Sequence, residues 1–304
     1  LETGFLKDRL YLTVNWYRNI SDNQIIRYSL PDQTGFTSVL RNFPGVVENS
    51  GMEFSLEGTI IKNQKASWNL SINISLNRNK LLSFPGLANS SYSENYVVDK
   101  PLNTFRGLHY TGIEALTGIY QFDDINKDGI IDNNDFRWIG TTDPVYFGGF
   151  SNTIRLGSFE LNLLLEFRKQ KGPHTVYSSG IAAGDIINQP AEVLDRWQMP
   201  GDIKKFEKFT QDFTNPAYNP AIYNMASSDA ALTDASFIRV KNISLSYNFP
   251  SGLIRKLKME SWRIYLQGRN IATITRYKGY DPETRSGSSL PPLYQITAGM
   301  QIAF

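Results

Sequence analysis

Two-residue alternation of apolar and polar side chains recurs eight times along this 304-residue chain, and no other feature constrains its fold so tightly. Successive side chains of a β-strand point to opposite faces, so each such run specifies a strand with one apolar and one polar face. The rule is nearly unbroken in WNLSINISLN, where Trp68, Leu70, Ile72, Ile74 and Leu76 oppose Asn69, Ser71, Asn73, Ser75 and Asn77. Leu10, Leu12, Val14 and Trp16 oppose Tyr11, Thr13 and Asn15, and Met52, Phe54, Leu56 and Ile60 oppose Glu53, Ser55, Glu57 and Thr59. Tyr146, Phe150, Ile154 and Leu156 fall together, with Asn152 as an exception. Phe159, Leu161, Leu163, Leu165 and Phe167 face away from Glu160, Asn162, Glu166 and Arg168. Ile243, Leu245, Tyr247 and Phe249 form the next run. Ile238 and Val240 upstream lie in the other phase, which predicts a bulge near Asn242. Trp262, Ile264 and Leu266 follow, and the run from Tyr294 to Phe304 closes the series on an aromatic residue.

None of these apolar faces carries a charge. Lys or Arg facing lipid at mid-depth costs roughly 2–4 kcal/mol, so a lipid-facing wall must exclude them. A soluble sandwich keeps its inner faces equally clean, and the connections separate the two. Short joins (Lys62–Ser67, Gly157–Ser158, Pro250–Ser261) alternate with long ones at about 22–47, 81–143, 171–234 and 277–291. Tight turns at one end and long loops at the other are the asymmetry of membrane barrels, whose tilted strands need about 9–11 residues to cross. The expected fold is therefore all-β, a transmembrane antiparallel β-barrel wall of about eight strands with long extracellular loops. Leu1 to Leu6 read as the tail of an earlier strand and its turn, making residues 1–304 part of one larger barrel domain. Trp16, Trp68 and Trp262 are expected near strand ends as an interfacial girdle. The glycines Gly148 and Gly149 are expected to relieve curvature.

The remaining composition excludes several functions. A net charge of +2 without a basic block gives no footing for nucleic acid. Cysteine is absent, and the apolar runs fall far short of the roughly 18 residues of a spanning helix. His109 and His174 lack partners at ligand spacing and are expected to be solvated. Pairs such as Glu160 and Glu166, or Glu53 and Glu57, are expected to line a wet channel rather than cleave a glycoside, so no enzyme is expected. The segment from Gly184 to Lys208 contains candidate helical turns. Trp138 and Trp197 lie in loops, where packing within the loop is the favoured reading over stacking on a substrate.

The sharpest local motif is DINKDGIIDNND at 124–135, inside the second long loop. Asp124, Asn126, Asp128, Ile130 through its carbonyl, Asp132 and Asp135 occupy the ligand positions of a twelve-residue Ca²⁺ loop, with Gly129 at the turn. The expected ion is structural. A calcium-stabilised surface all-β binding or adhesion protein is the alternative reading this motif keeps open.

The segment SDAALTDASFIRVKNISLSYNFP (Ser228 to Pro250), followed by WRIYLQGRNI and YKGYDPE, resembles the C-terminal region of SusC/RagA-type TonB-dependent transporters. GVVENSGMEFSLEG, DINKDGIIDNNDFRWIG, DPVYFGGFSNT and DRW (Asp195 to Trp197) resemble the same family, in the same order. The resemblance implies a 22-stranded barrel in the outer membrane with an N-terminal plug, of which this chain supplies about eight C-terminal strands. It implies import of bulky oligosaccharides or oligopeptides under a SusD-like lipoprotein lid, energised by TonB, ExbB and ExbD through the N-terminal part. Trp197, Arg168 and Arg269 are the candidate substrate contacts. YKGYDPE carries no chemistry readable from sequence, beyond a fixed turn at Asp281–Pro282.

Overall fold

The computed structural model describes residues 1–30, 32–42, 44–90 and 92–304. Among these residues, nine strands pair antiparallel in one sheet, each next to its sequence neighbour. They are β1 (Glu2–Phe5), β2 (Leu10–Ser21), β3 (Val46–Lys62), β4 (Ala66–Ser83), β5 (Tyr146–Leu156), β6 (Phe159–Lys169), β7 (Phe237–Asn248), β8 (Ser261–Thr275) and β9 (Gln295–Ala303). The eight alternating runs are β2 to β9, and the strand tail expected near Leu1 is β1.

Register turns the alternation into faces. Thr59, Asn69, Thr153, Asn162, Ser244, Gln267 and Thr297 are cross-strand partners in one continuous row over β3 to β9. One residue away along the strands runs Gly58, Leu70, Asn152, Leu163, Ile243, Gly268 and Ile296. The first row is stitched by side chains: Thr59 donates to Asn69 Oδ1 (2.9 Å), and Thr153 to Asn162 Oδ1 (2.9 Å). The second row belongs to a surface that leaves Trp16, Leu156, Phe159, Leu266, Ile296 and Met300 exposed. A sheet with a bare apolar face and a hydrogen-bonded polar face is a wall between lipid and water. Asn152, the exception in the alternation, is buried on the apolar face and accepts a hydrogen bond from Trp68 Nε1 at 3.0 Å. Its amide oxygen is thereby satisfied where water is absent.

The bulge expected near Asn242 falls at Lys241: pairing with β6 and with β8 passes from Val240 directly to Asn242. Gly148 has a sharper reason than curvature. A Cβ there would stand 2.0 Å from the backbone oxygen of Asn73 on β4. On the polar face, Tyr17 lies over Gly51 and Tyr265 over Gly299, their cross-strand partners, filling the space a side chain would take. Trp68 and Trp262 sit close to the short turns, but Trp16 stands mid-strand in β2, because that strand continues to Ser21. The girdle expected from all three is thus met by two.

The long connections are folded. Hairpins pair Ile25–Ser29 with Ser38–Asn42 and Tyr110–Ile113 with Tyr120–Phe122. Thr104–Gly107 pairs with Arg137–Thr141, and Lys171–Pro173 with Leu232–Asp234. Most buried apolar side chains lie here rather than in the wall: Leu108, Tyr120, Phe122, Ala182, Ala221 and Met225 form one cluster, and Val176, Ala183, Val193 and Phe206 another. Within 184–208 the helical turn is a single 3₁₀ turn at Ala191–Leu194. A short helix, Ser251–Lys256, fills the join between β7 and β8.

Gly148→Ala is predicted to cost about 1–3 kcal/mol by forcing β4 and β5 apart. Gly287→Ala, where a Cβ meets nothing within 4 Å, serves as the neutral control. Urea unfolding of the detergent-solubilised protein is the measurement.

Candidate functional site: the polar wall and its loop anchor

The polar face carries one dense ionic cluster, at the long-loop ends of β6, β7 and β8. Arg239 on β7 stands between Glu166 on β6 and Thr273 on β8 in the cross-strand register. Its side chain is only 2% exposed. Nε donates to Thr273 Oγ1 at 2.9 Å, while the two terminal nitrogens bind Asp281 and Glu283. Lys241, placed by the bulge, bridges Glu166 (2.8 Å) and Glu283 (2.9 Å). A guanidinium removed from water demands such pairing, since an uncompensated buried charge is strongly destabilising.

Asp281 and Glu283 come from YKGYDPE. Asp281 Oδ1 accepts the backbone N–H groups of Glu283 (2.9 Å) and Thr284 (3.0 Å), which forms the turn expected at Asp281–Pro282. Gln170 donates to the Pro282 carbonyl at 2.6 Å, and Arg285 to the Thr142 and Lys171 carbonyls at 2.7 and 3.0 Å. The motif is an anchor that folds the last long connection down onto the polar face. No spacing rule reveals it, because Arg239 lies about forty residues upstream in a different strand.

The candidate substrate contacts do not converge. Arg168 pairs with Glu166 at 3.0 Å and stands over the rings of Phe147 and Phe237 at 5.8 and 5.9 Å. Arg269 lies exposed on β8, partnered with Asn242 in β7. Trp197 lies on Gly118 and donates from Nε1 to the Ala115 carbonyl at 3.1 Å, so it packs loop against loop. Trp138 is 40% exposed, with the Lys100 ammonium 4.2 Å from its ring centre.

Both histidines lie half-exposed in the loops, and each has a partner there. His109 Nδ1 is bonded to Asp229 Oδ2, and Asp229 also accepts the Tyr110 N–H at 3.0 Å, joining the second long connection to the third. His174 stacks on Tyr177 with ring centres 4.3 Å apart, and burial holds its pKa below the usual histidine value. Sequence spacing hides the His109 partner because Asp229 belongs to a distant loop.

In the 124–135 loop the side chains turn inward on their own backbone. Asp124 accepts from the N–H groups of Lys127 (2.7 Å) and Gly129 (2.9 Å), Asn126 from Asp128 (3.0 Å), and Asp128 from Ile130 (2.8 Å). Asp132 caps Asn134 at 2.7 Å. Asp135 is fully buried and accepts from Asp132, Ile125 and Asn126, which hold its carboxyl below the usual carboxylate range. Gly129 takes the left-handed backbone, φ +82°, that the turn requires. Among the described residues, no three Asp, Glu or His side chains converge at metal-holding distance. The donor chemistry suits a hard cation, with oxygens at every ligand position.

These features define a membrane β-barrel wall with folded long connections, the last of them anchored on its polar face. Residues 1–179 match the family described as TonB dependent receptor-like, beta-barrel, and the chain belongs to that family. It is 25% identical over 310 residues to TonB-dependent receptor P3 of Formosa agariphila, covering 93% of this chain and 30% of that protein. It is 26% identical over 317 residues to TonB-dependent receptor SusC of Bacteroides thetaiotaomicron, covering 96% and 30%. The solved RagAB peptide transporter superimposes with a TM-score of 0.81 at 25% identity, covering all of this chain and 34% of that one. The chain thus spans about a third of the relatives it matches, and the SusC/RagA resemblance of its motifs is confirmed. Those relatives are named as TonB-dependent receptors and a peptide transporter.

Arg239→Met is predicted to release the 276–294 connection, at about 3–5 kcal/mol for the broken buried pairs. Limited proteolysis should cut near Tyr280 in this variant and spare the parent. The triple change Arg239→Met, Asp281→Asn, Glu283→Gln should recover part of the loss.

Proposed function

We propose that this chain is the C-terminal wall of an outer-membrane importer of bulky nutrients, oligopeptides or oligosaccharides. TonB, ExbB and ExbD energise it through a part of the protein outside this chain, and a SusD-like lipoprotein covers its loops. The observation that carries the reading is the end-to-end match to the RagAB peptide transporter chain together with the two-faced wall. Such a wall confines a wet passage, and the relatives' names support TonB as the energy source and peptides as one cargo class. A polar face bearing both signs of charge, Glu53, Glu57, Glu166, Arg168, Lys241 and Arg269, suits zwitterionic peptides and hydroxyl-rich glycans alike.

Deletion of the parent gene should abolish uptake of one labelled class, peptides or oligosaccharides, and disabling TonB should do the same with the gene intact. Uptake of both classes unchanged by deletion would refute the proposal.

The 124–135 loop takes Ca²⁺ in this reading, through Asp124, Asn126, Asp128, the Ile130 carbonyl, Asp132 and Asp135. The ion clamps a loop that otherwise has much conformational entropy to lose. Adding Ca²⁺ to chelator-treated protein is predicted to raise protection of residues 124–135 in hydrogen exchange. The double variant Asp124→Ala, Asp128→Ala should show no response, and equal protection of the parent with and without Ca²⁺ would rule the site out.

A further inference from the structure

Glu207 is the one carboxylate of the third long connection that is sealed from water without a cation. It is 1% exposed. Its Oε2 accepts the Tyr120 N–H at 3.1 Å, and its Oε1 has no hydrogen-bond partner among the described residues. The titratable groups around it are the phenols of Tyr110 and Tyr120, from the hairpin of the second connection, and Lys208 from the third; Tyr177 stands behind the two phenols, against Tyr120. Tyr120 meets both Tyr110 and Tyr177 edge to face, with centres 5.6 and 6.1 Å apart, and Tyr177 in turn lies 5.2 Å from Phe206. Lys208 is the single cation near, and it is too weak to offset burial.

Glu207 sits on the seam between two loops. The Lys208 N–H donates to the Gly118 carbonyl (3.0 Å), and the Gly201 N–H to that of Ala115 (2.8 Å). Trp197 closes on Gly118 from the same side. The Glu114–Ile119 turn is therefore held to residues 197–208 by a strip of hydrogen bonds with Glu207 at its inner end.

We infer that Glu207 is a proton-held latch between the second and third long connections, closed when its carboxyl is neutral and opened when it ionises. A neutral carboxyl can sit sealed beside the Tyr110 and Tyr120 rings with one lone N–H contact. An anion there lacks a partner for its second oxygen and must draw in water, which parts the seam.

Burial pushes the carboxyl up to about 8. The closed seam therefore binds a proton that the opened one releases near the ordinary carboxylate value. Closure is fully stabilised at low pH and weakens as pH rises towards about 8, above which the loss levels off. The inference is independent of which cargo passes, because it concerns only how the loop cap is held.

Hydrogen exchange on the full-length protein in detergent tests it, with rates corrected for the intrinsic pH dependence. Between about pH 5 and pH 8, protection of residues 114–120 and 197–208 should fall by roughly tenfold per pH unit. Glu207→Gln, neutral at every pH, should abolish that dependence. Unchanged protection in the parent, or the same fall in the Gln variant, would overturn the latch. If Glu207→Gln does not fold, Glu207→Met provides the same non-titrating comparison. An infrared titration of the parent should then show a protonated carboxyl, missing in that variant, persisting to neutral pH; its absence would also overturn the latch.

Discussion

Everything in this molecule follows from the need to pair backbone N–H and C=O groups where no water can reach them. In lipid each unpaired group costs several kcal/mol, which leaves helices and closed sheets as the only spanning structures. No helix among the described residues is long and apolar enough to cross a membrane. The ladder from β1 to β9 supplies the pairing instead. Once that ladder exists, side-chain period and face are locked together, because a slip of one residue would turn every apolar side chain to water. Asn152, a polar side chain buried on the lipid side, obeys the same rule through Trp68.

A wall of this kind has almost no hydrophobic core of its own, since its apolar face is solvated by lipid. The packed cores lie in the connections, where Leu108, Met225, Phe206 and their neighbours are sealed from water. Loop packing thereby becomes a second, separable folding problem. The wall meets it in two ways: Val47 and Leu81 of β3 and β4 pack with Phe84, Leu87 and Leu102 of the second connection, while Arg239 and Lys241 rise from β7 to fasten the last one through Asp281 and Glu283. The bulge at Lys241 is part of this device, for it turns an extra cation towards Glu166 and Glu283 beside the in-register Arg239.

The wall was legible in the sequence because strand periodicity is local. Eight runs, the bulge within one residue, and the alternation of short and long joins could be read from neighbouring side chains. The loop anchor was not legible, because its partners meet only after the chain has travelled through β8 and back. The same distance hid the His109–Asp229 tie and the role of Glu207, neither of which has a spacing signature. Trp16 was misplaced for a different reason: an alternating run marks a strand's face but not how far the strand extends past the membrane. Trp197 behaved as the bland reading of a loop tryptophan expects, packing on a glycine rather than waiting for cargo.

The central claim is that adjacent residues on β8 and its neighbours look alternately into lipid and into water. Nitroxide labels at Leu266 and Met300, and at Gln267 and Asn162, test it in the full-length protein reconstituted into bilayers. The first pair should be accessible to dissolved oxygen and shielded from a water-soluble paramagnetic reagent, and the second pair should show the reverse. Equal access of the aqueous reagent to all four positions would contradict a membrane wall.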